Sequence, residues 1–348
     1  MEYNIIDNYM EEIVMYRKLL IISTALILAL IIGCSNEPKD TANVKEPAKV
    51  EQKPKTNDPV DPVEEKENTE EPQVDETTEN DPTVMANFQV LVDNKVMASE
   101  LKSYVDSQTG EVSVEDFTTM VLALEDLQQE QLLELEDRFY NGADFQEKLW
   151  DLSKDGFHYD QIDKVTDPEL KKLLIDTRDG GYKVETAEGA FFPVVDYQQY
   201  VQYQAHVSED IRDYIEIKAI ESNEVSLKDA AMIIGWDEAV RRAVRQEKFI
   251  ANHPSSARID EIKRLFGGYV YVTFNGVDNT PLFNYEDGKF DPAVKTAYTA
   301  AVKAGTEGSP YLKRLSTFLD LIEKNENIQS EEVMNYQQET TELWSNSI

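Results

Sequence analysis

The chain has 348 residues, and its 68 acidic and 34 basic side chains give a formal net charge of −34 at pH 7. A negative charge of this size argues against nucleic acid and anionic lipid headgroups as partners, because both are polyanions. The chain contains one cysteine, Cys34. It therefore forms no disulfide within itself and holds no metal site built from several cysteines.

The first segment with a recognisable pattern is an apolar run. It comprises the 15 residues from Leu19 to Gly33 and follows the basic pair Arg17 and Lys18. As a helix it would be about 22 Å long, at ~1.5 Å per residue, whereas a membrane span needs about 20 residues. We therefore expect residues 15–33 to be a signal peptide with a positive n-region. The alternative is a short membrane anchor or a buried helix.

The run ends in the four residues Ile31-Ile32-Gly33-Cys34. They resemble the lipobox of bacterial lipoprotein precursors, in which an aliphatic residue, a small or aliphatic residue, and Gly or Ala precede an invariant Cys. The resemblance implies cleavage between Gly33 and Cys34 and attachment of a diacylglyceryl group to the Cys34 sulfur. Two or three acyl chains, such as palmitate, give a stable membrane anchor where one gives marginal binding.

This resemblance also implies a location outside the cytoplasm. We expect the outer face of a plasma membrane of the Gram-positive type; in a Gram-negative cell the same signal implies the periplasmic side. Residues 1–14 do not fit a positive n-region, because they carry four acidic side chains. We therefore expect translation to begin at Met15, or residues 1–14 to be disordered.

Residues 34–83 differ from the rest of the chain in composition. The stretch from Ser35 to Thr83 has no aromatic residue, seven of the 13 prolines, 15 acidic side chains and six basic ones. Such a segment buries too little apolar surface to offset the loss of chain entropy. We expect a disordered, acidic, Pro-rich tether that holds the following residues away from the membrane.

Residues 84–348 are predicted to form a mostly α-helical ectodomain with one β-hairpin. Ser113 and the apolar spacing after it predict a helix that ends at Asn141-Gly142. A strand or a short helix fits Phe88 to Met97. The runs on either side of Glu188-Gly189 predict a hairpin near residues 181–196.

Two helical hairpins are predicted farther along the chain, at residues 236–275 and 291–325. The segment Phe249 to Ala257 resembles the inter-helix segment of tetratricopeptide-like repeats in some envelope lipoproteins. Whether residues 84–348 form one domain or two stays open at this point, because no regular repeat of ~34 residues accompanies that segment.

Catalytic and cofactor motifs are absent from the sequence. His158, His206 and His253 lack zincin spacing, and no nucleophile elbow, P-loop or dinucleotide fingerprint is present. We therefore expect no cofactor and no metal. A glycosidase would need two suitably spaced carboxylates, and Glu185, Glu188 and Asp196 near the hairpin are the ones to test.

An aromatic cluster is the candidate binding surface. It consists of Phe191, Phe192, Tyr197, Tyr200 and Tyr203. Aromatic rings with polar tips suit stacking against glycan strands or peptides. The alternative is that these rings form the core between the hairpin and the helices.

The sequence thus favours a lipid-anchored, non-catalytic binding or scaffold module in the cell envelope. Its partners would be the membrane, through the lipid on Cys34, and envelope proteins or cell-wall glycan. The alternative is a carboxylate-dependent hydrolase of cell-wall glycan. A solute-binding receptor fits poorly, because such receptors usually need two α/β lobes.

Overall fold

The helices of the structure follow the spacing of apolar residues. A computed structural model describes residues 82–142, 144–153 and 158–345. The expected signal peptide, the cleavage and lipidation site at Gly33 and Cys34, and most of the tether lie outside these ranges. Within them the fold is mostly α-helical, which confirms the predicted fold class.

The first half of the described chain contains six α-helices, two 3₁₀ helices and a hairpin. The α-helices are α1 (Pro82–Asp93), α2 (Ala98–Ser107), α3 (Val114–Asn141), α4 (Phe145–Leu152), α5 (Pro168–Asp179) and α6 (Glu209–Asn223), with 3₁₀ helices at Tyr159–Lys164 and Tyr197–Tyr203. Strands β1 (Tyr182–Ala187) and β2 (Ala190–Val195) pair antiparallel. The segment that the sequence left open as strand or helix is mainly helical, because its first six residues, Phe88 to Asp93, lie in α1.

The second half contains five α-helices and two very short β ribbons. They are β3 (Leu227–Lys228), β4 (Ala231–Met232), α7 (Trp236–Asn252), α8 (Ile259–Asn275), β5 (Gly276–Val277), β6 (Thr280–Pro281), α9 (Pro292–Ala304), α10 (Pro310–Lys324) and α11 (Glu331–Ser345). Strand β3 pairs with β4 and strand β5 with β6, both antiparallel. These two ribbons, of two residues per strand, add to the one predicted hairpin.

The starts of several helices are determined locally. The Ser113 hydroxyl accepts a hydrogen bond from the Asp116 amide at 3.2 Å and caps α3. Helices α5, α9 and α10 each begin with a proline after an Asp or Ser whose side chain accepts from the first-turn amides. Proline suits the first helical position because the missing N–H would have no partner there.

The β1–β2 hairpin has the predicted turn. Glu188 and Gly189 both have positive φ, at 50° and 79°, and connect Ala187 to Ala190. A two-residue turn of this kind matches the twist of the paired strands. Pro193 lies opposite Val184, in a sheet of only two strands, where a missing amide donor is tolerated.

The buried apolar side chains form two clusters. The first contains residues of α1 to α6 and of the hairpin, together with Phe249 of α7 and Ile262 of α8. The second contains residues of α7 to α11 and of the segment before α9. Ile250 on α7 and Leu265 on α8 pack against both clusters. Helices α7 and α8 therefore connect the two cores. No helix in the described ranges is both long enough and apolar enough to cross a membrane.

Candidate functional site

The aromatic candidates lie inside the protein. Phe191, Tyr197, Tyr200 and Tyr203 are buried, and Phe192 is half-buried. A stacking surface needs exposed ring faces, and four of these five rings pack in the first core instead. These four rings therefore lie between the hairpin and the helices, which is the alternative interpretation of the sequence.

The three tyrosines form a ladder on one side of the second 3₁₀ helix. Residues three apart are eclipsed in a 3₁₀ helix, and the ring centroids are 5.4 Å apart for Tyr197 and Tyr200 and 5.7 Å for Tyr200 and Tyr203. Their hydroxyls donate to Glu125, Gln128 and Asp106 respectively. Burial, together with neighbouring negative charge, raises the pKa of all three phenols. They therefore stay protonated and act as donors.

Glu125 on α3 is the centre of a buried ionic network, here called the Glu125 cluster: Glu125, Tyr197, Tyr214, Lys218, Arg258 and Glu261. Glu125 accepts from the hydroxyls of Tyr197 and Tyr214, and its Oε2 lies 2.8 Å from the Arg258 Nε. The Tyr214 hydroxyl also lies 2.7 Å from the Glu261 Oε2. The cluster joins α3, the second 3₁₀ helix, α6 and α8.

Lys218 completes the Glu125 cluster on its other side. Its ammonium pairs with Glu261 and lies 4.5 Å from the centroid of the Tyr197 ring, a cation–π contact. Burial alone would raise the pKa of Glu261, but Lys218, Tyr214 and Arg258 outweigh it and lower that pKa. Because each charge has a fixed partner, the network is suited to holding helices together.

A second ionic network surrounds the buried Arg242 on α7. Its guanidinium lies 2.7 Å from Glu238, 3.0 Å from Glu221 and 3.1 Å from Glu224, and it also contacts the Tyr269 hydroxyl. Burial raises the pKa of Glu221, despite the opposing hydrogen bonds from Tyr269 and Arg242. One buried cation therefore neutralises an excess of carboxylates where α6, α7 and α8 meet.

Four of the other six titratable candidates have structural partners, whereas His158 and Glu188 are exposed. The His253 Nε2 lies 3.0 Å from the Asp213 Oδ2, and the His206 ring packs against Phe117. Glu185 pairs with Lys183 at 2.9 Å, and Asp196 caps the second 3₁₀ helix. Over the described ranges, no group of three or more His, Cys, Asp or Glu side chains is placed to hold a metal ion.

The end of the molecule formed by the two short ribbons differs from these buried networks. The Asn279 amide donates to the Ala230 carbonyl at 3.0 Å, and the Asn279 Nδ2 donates to the Asp229 carbonyl at 2.8 Å. The Met232 amide donates to the Thr280 hydroxyl at 3.0 Å. The tips of the two ribbons are thus clamped to each other.

Four exposed apolar side chains lie on the ribbons, next to them, or on the helix that leads into them. Leu227 is 42% exposed, Ile233 52%, Tyr271 57% and Tyr285 77%. The Tyr285 hydroxyl donates to the Asp278 carbonyl at 2.9 Å. Tyr271 lies one turn before the end of α8, and α8 leads directly into β5. We call this surface the ribbon end: Leu227, Asp229, Ile233, Tyr271, Asp278, Tyr285 and Glu286.

The ribbon end was not among the sites predicted from the sequence. Strands of two residues are too short to give a period-2 pattern, so neither ribbon was detectable by alternation. The pair Asp278-Asn279 between Val277 and Thr280 is a turn signal that could have located the second ribbon.

Comparisons with known proteins give no further assignment: no family model, no curated protein and no solved structure matches this chain.

Proposed function

We propose that this protein is a lipid-anchored extracytoplasmic protein that acts as a non-catalytic binding or scaffold module in the cell envelope. The observation that carries the binding role is the ribbon end. Four exposed apolar side chains lie there around two ribbons that hydrogen-bond to each other. Single exposed apolar side chains are common on protein surfaces, but four of them at the ribbons and the end of α8 favour a site that another molecule covers.

The partners of the buried charged groups support a scaffold role. Glu125, Arg242 and Arg258 have protein partners for their charged atoms, and these partners come from several helices. A catalytic acid or base needs a position within hydrogen-bond reach of a substrate. In these networks that position is filled by a tyrosine hydroxyl or a guanidinium.

The alternative, a carboxylate-dependent hydrolase of cell-wall glycan, has one pair of acids to consider. A single hydroxyl, that of Tyr214, contacts the carboxylates of both Glu125 and Glu261. That hydroxyl occupies the space a scissile bond would need, and the Glu125 side chain is only 5% exposed. We therefore place hydrolysis second.

Site-specific photocrosslinking on intact cells tests the binding role. A photoreactive phenylalanine analogue replaces Tyr285, which is 77% exposed, and in a matched control it replaces Leu133, which is 70% exposed and lies on α3. We expect a discrete crosslinked product from position 285 and none from position 133. Equal products from both positions, or none from 285, would contradict a binding role for the ribbon end.

A further inference from the structure

We infer that the ribbon end binds a positively charged polypeptide segment that carries apolar side chains. This inference rests on the proposed function, because it names the partner class of the same surface. Three features of the ribbon end support it: the exposed apolar side chains, the charges next to them, and the rigidity of the two ribbons.

The apolar part of the surface requires a partner with apolar side chains of its own. Because successive residues of a strand point to opposite faces, and Leu227 lies opposite Met232, Leu227 and Ile233 are on opposite faces of the first ribbon. A flat partner would reach one of them, whereas an extended segment that passes around the tip reaches both. The partner is therefore a flexible or extended chain.

The charge next to these side chains determines the sign of the charge that a partner should carry. Asp229, Asp278 and Glu286 are exposed, and none of them forms an ion pair within 4.0 Å with the part of the chain that the structure describes. Lys228 is the nearby cation on the first ribbon, while Lys289 is already paired with Asp287 at 2.8 Å. Lysine or arginine side chains of a partner would complement these carboxylates.

The two exposed tyrosines add to the same preference. The face of a tyrosine ring attracts an ammonium or guanidinium group, and Tyr271 and Tyr285 both expose more than half of their area. The structure already contains such a contact inside the protein, between Lys218 and Tyr197. A cationic partner would therefore gain from the aromatic as well as the acidic groups.

The ribbon end is also preorganised for binding. Asp229 and Ala230 have φ of 51° and 56°, in the left-handed region that non-glycine residues rarely adopt. The hydrogen bonds from Asn279 to both carbonyls hold this turn in place. Binding to a fixed surface avoids the entropy cost of ordering it.

Charge also argues against a second copy of the same chain as the occupant. The chain carries a net charge of −34, and two acidic ribbon ends brought together would repel each other. Self-association is accordingly one of the outcomes that the test distinguishes.

The test uses the purified full-length chain in detergent and two synthetic decapeptides, one alternating Lys with Leu and one alternating Glu with Leu. Binding is measured by fluorescence anisotropy at low and at physiological salt. The first variant, Asp229→Asn with Asp278→Asn and Glu286→Gln, removes three charges from the ribbon end. A matched control, Glu111→Gln with Asp137→Asn and Glu339→Gln, removes three exposed charges elsewhere.

We expect the Lys–Leu peptide to bind and the Glu–Leu peptide not to bind. The ribbon-end variant should weaken binding about tenfold, as should Ile233→Ser with Tyr285→Ser, while the control variant changes affinity less than about twofold. Equal weakening by both charge variants would mean that the peptide is attracted to the overall negative charge of the protein, and it would overturn the inference. So would tighter binding of the Glu–Leu peptide, or a dimer in sedimentation that Ile233→Ser dissociates.

These results separate the inference from the proposed function. If position 285 crosslinks in cells to an acidic or uncharged segment, the partner class is wrong and the binding module stands. If the Lys–Leu peptide binds the ribbon end but position 285 gives no crosslink in cells, the surface chemistry is right and the proposed function fails.

Discussion

Truncation of Glu125 is the sharpest test of the buried networks. Glu125 and Asp126 are adjacent on α3, and both carboxylates pair with Arg258, at 2.8 Å and 2.6 Å. They differ in burial, because the Glu125 side chain is 5% exposed and that of Asp126 is 67% exposed. Glu125→Ala and Asp126→Ala therefore remove one ion pair each with the same guanidinium, in very different surroundings.

The structure predicts a different loss of stability for each substitution. Glu125→Ala leaves the buried Tyr197 hydroxyl without its carboxylate acceptor, leaves the Tyr214 hydroxyl with Glu261 alone, and removes the inner partner of Arg258. Breaking a buried ion pair on one side costs about 3–5 kcal/mol. Asp126→Ala removes an exposed pair, which contributes at most about 1 kcal/mol.

Urea unfolding of the purified protein measures both values. The transition is followed by far-ultraviolet circular dichroism and by tryptophan fluorescence, and the free energy of unfolding comes from the midpoint and slope. We expect Glu125→Ala to lower the free energy of unfolding by at least ~3 kcal/mol, a loss larger than the uncertainty of the fit. A loss no larger than that of Asp126→Ala would refute the assignment of Glu125 as the centre of the cluster.

Three further predictions concern other parts of the fold. Arg242→Met should destabilise the protein by about 3–5 kcal/mol, because its carboxylate partners lose their shared cation; a loss below ~1 kcal/mol in urea unfolding would contradict this. Ala230→Gly should stabilise by about 0.5–1 kcal/mol, because its φ is 56°, whereas Ala231→Gly on β4 should destabilise; the opposite order would refute the turn geometry. Because the pKa of Glu261 is lowered from 4.5, its ionisation stabilises the folded state above about pH 4.5, and this contribution is lost as the pH falls below that value. Unfolding of Glu261→Gln should therefore depend less on pH between pH 5 and pH 3 than that of the unsubstituted protein, and an unchanged dependence would contradict the prediction.

Local signals in the sequence were enough to predict much of the fold. The Ser113 cap, the Glu188-Gly189 turn and the inter-helix segment Phe249 to Ala257 depend on residues within a few positions of each other. Their conformational preferences operate before any tertiary contact is made. The structure has α3, the β1–β2 hairpin and the end of α7 at those places.

The ionic networks and the ribbon end could not be predicted from local signals in the sequence. Arg258 meets Glu125 across 133 positions of sequence, and among so many acidic residues no pattern selects that partner. The tyrosines at positions 197, 200 and 203 have a spacing that fits an exposed face and a buried face equally well. Only the packing of the hairpin and α3 against them decides between the two.

The proposed binding role requires the protein to be anchored outside the cytoplasm, because an envelope partner can reach the ribbon end only there. The most direct measurement is the intact mass of the mature protein extracted from membranes, with Cys34→Ala expressed in parallel. We predict a chain that begins at Cys34 and carries the mass of a diacylglyceryl group or of that group with a further acyl chain, and a variant that remains unprocessed. An unmodified Cys34 in a chain that retains residues 15–33 would contradict the account.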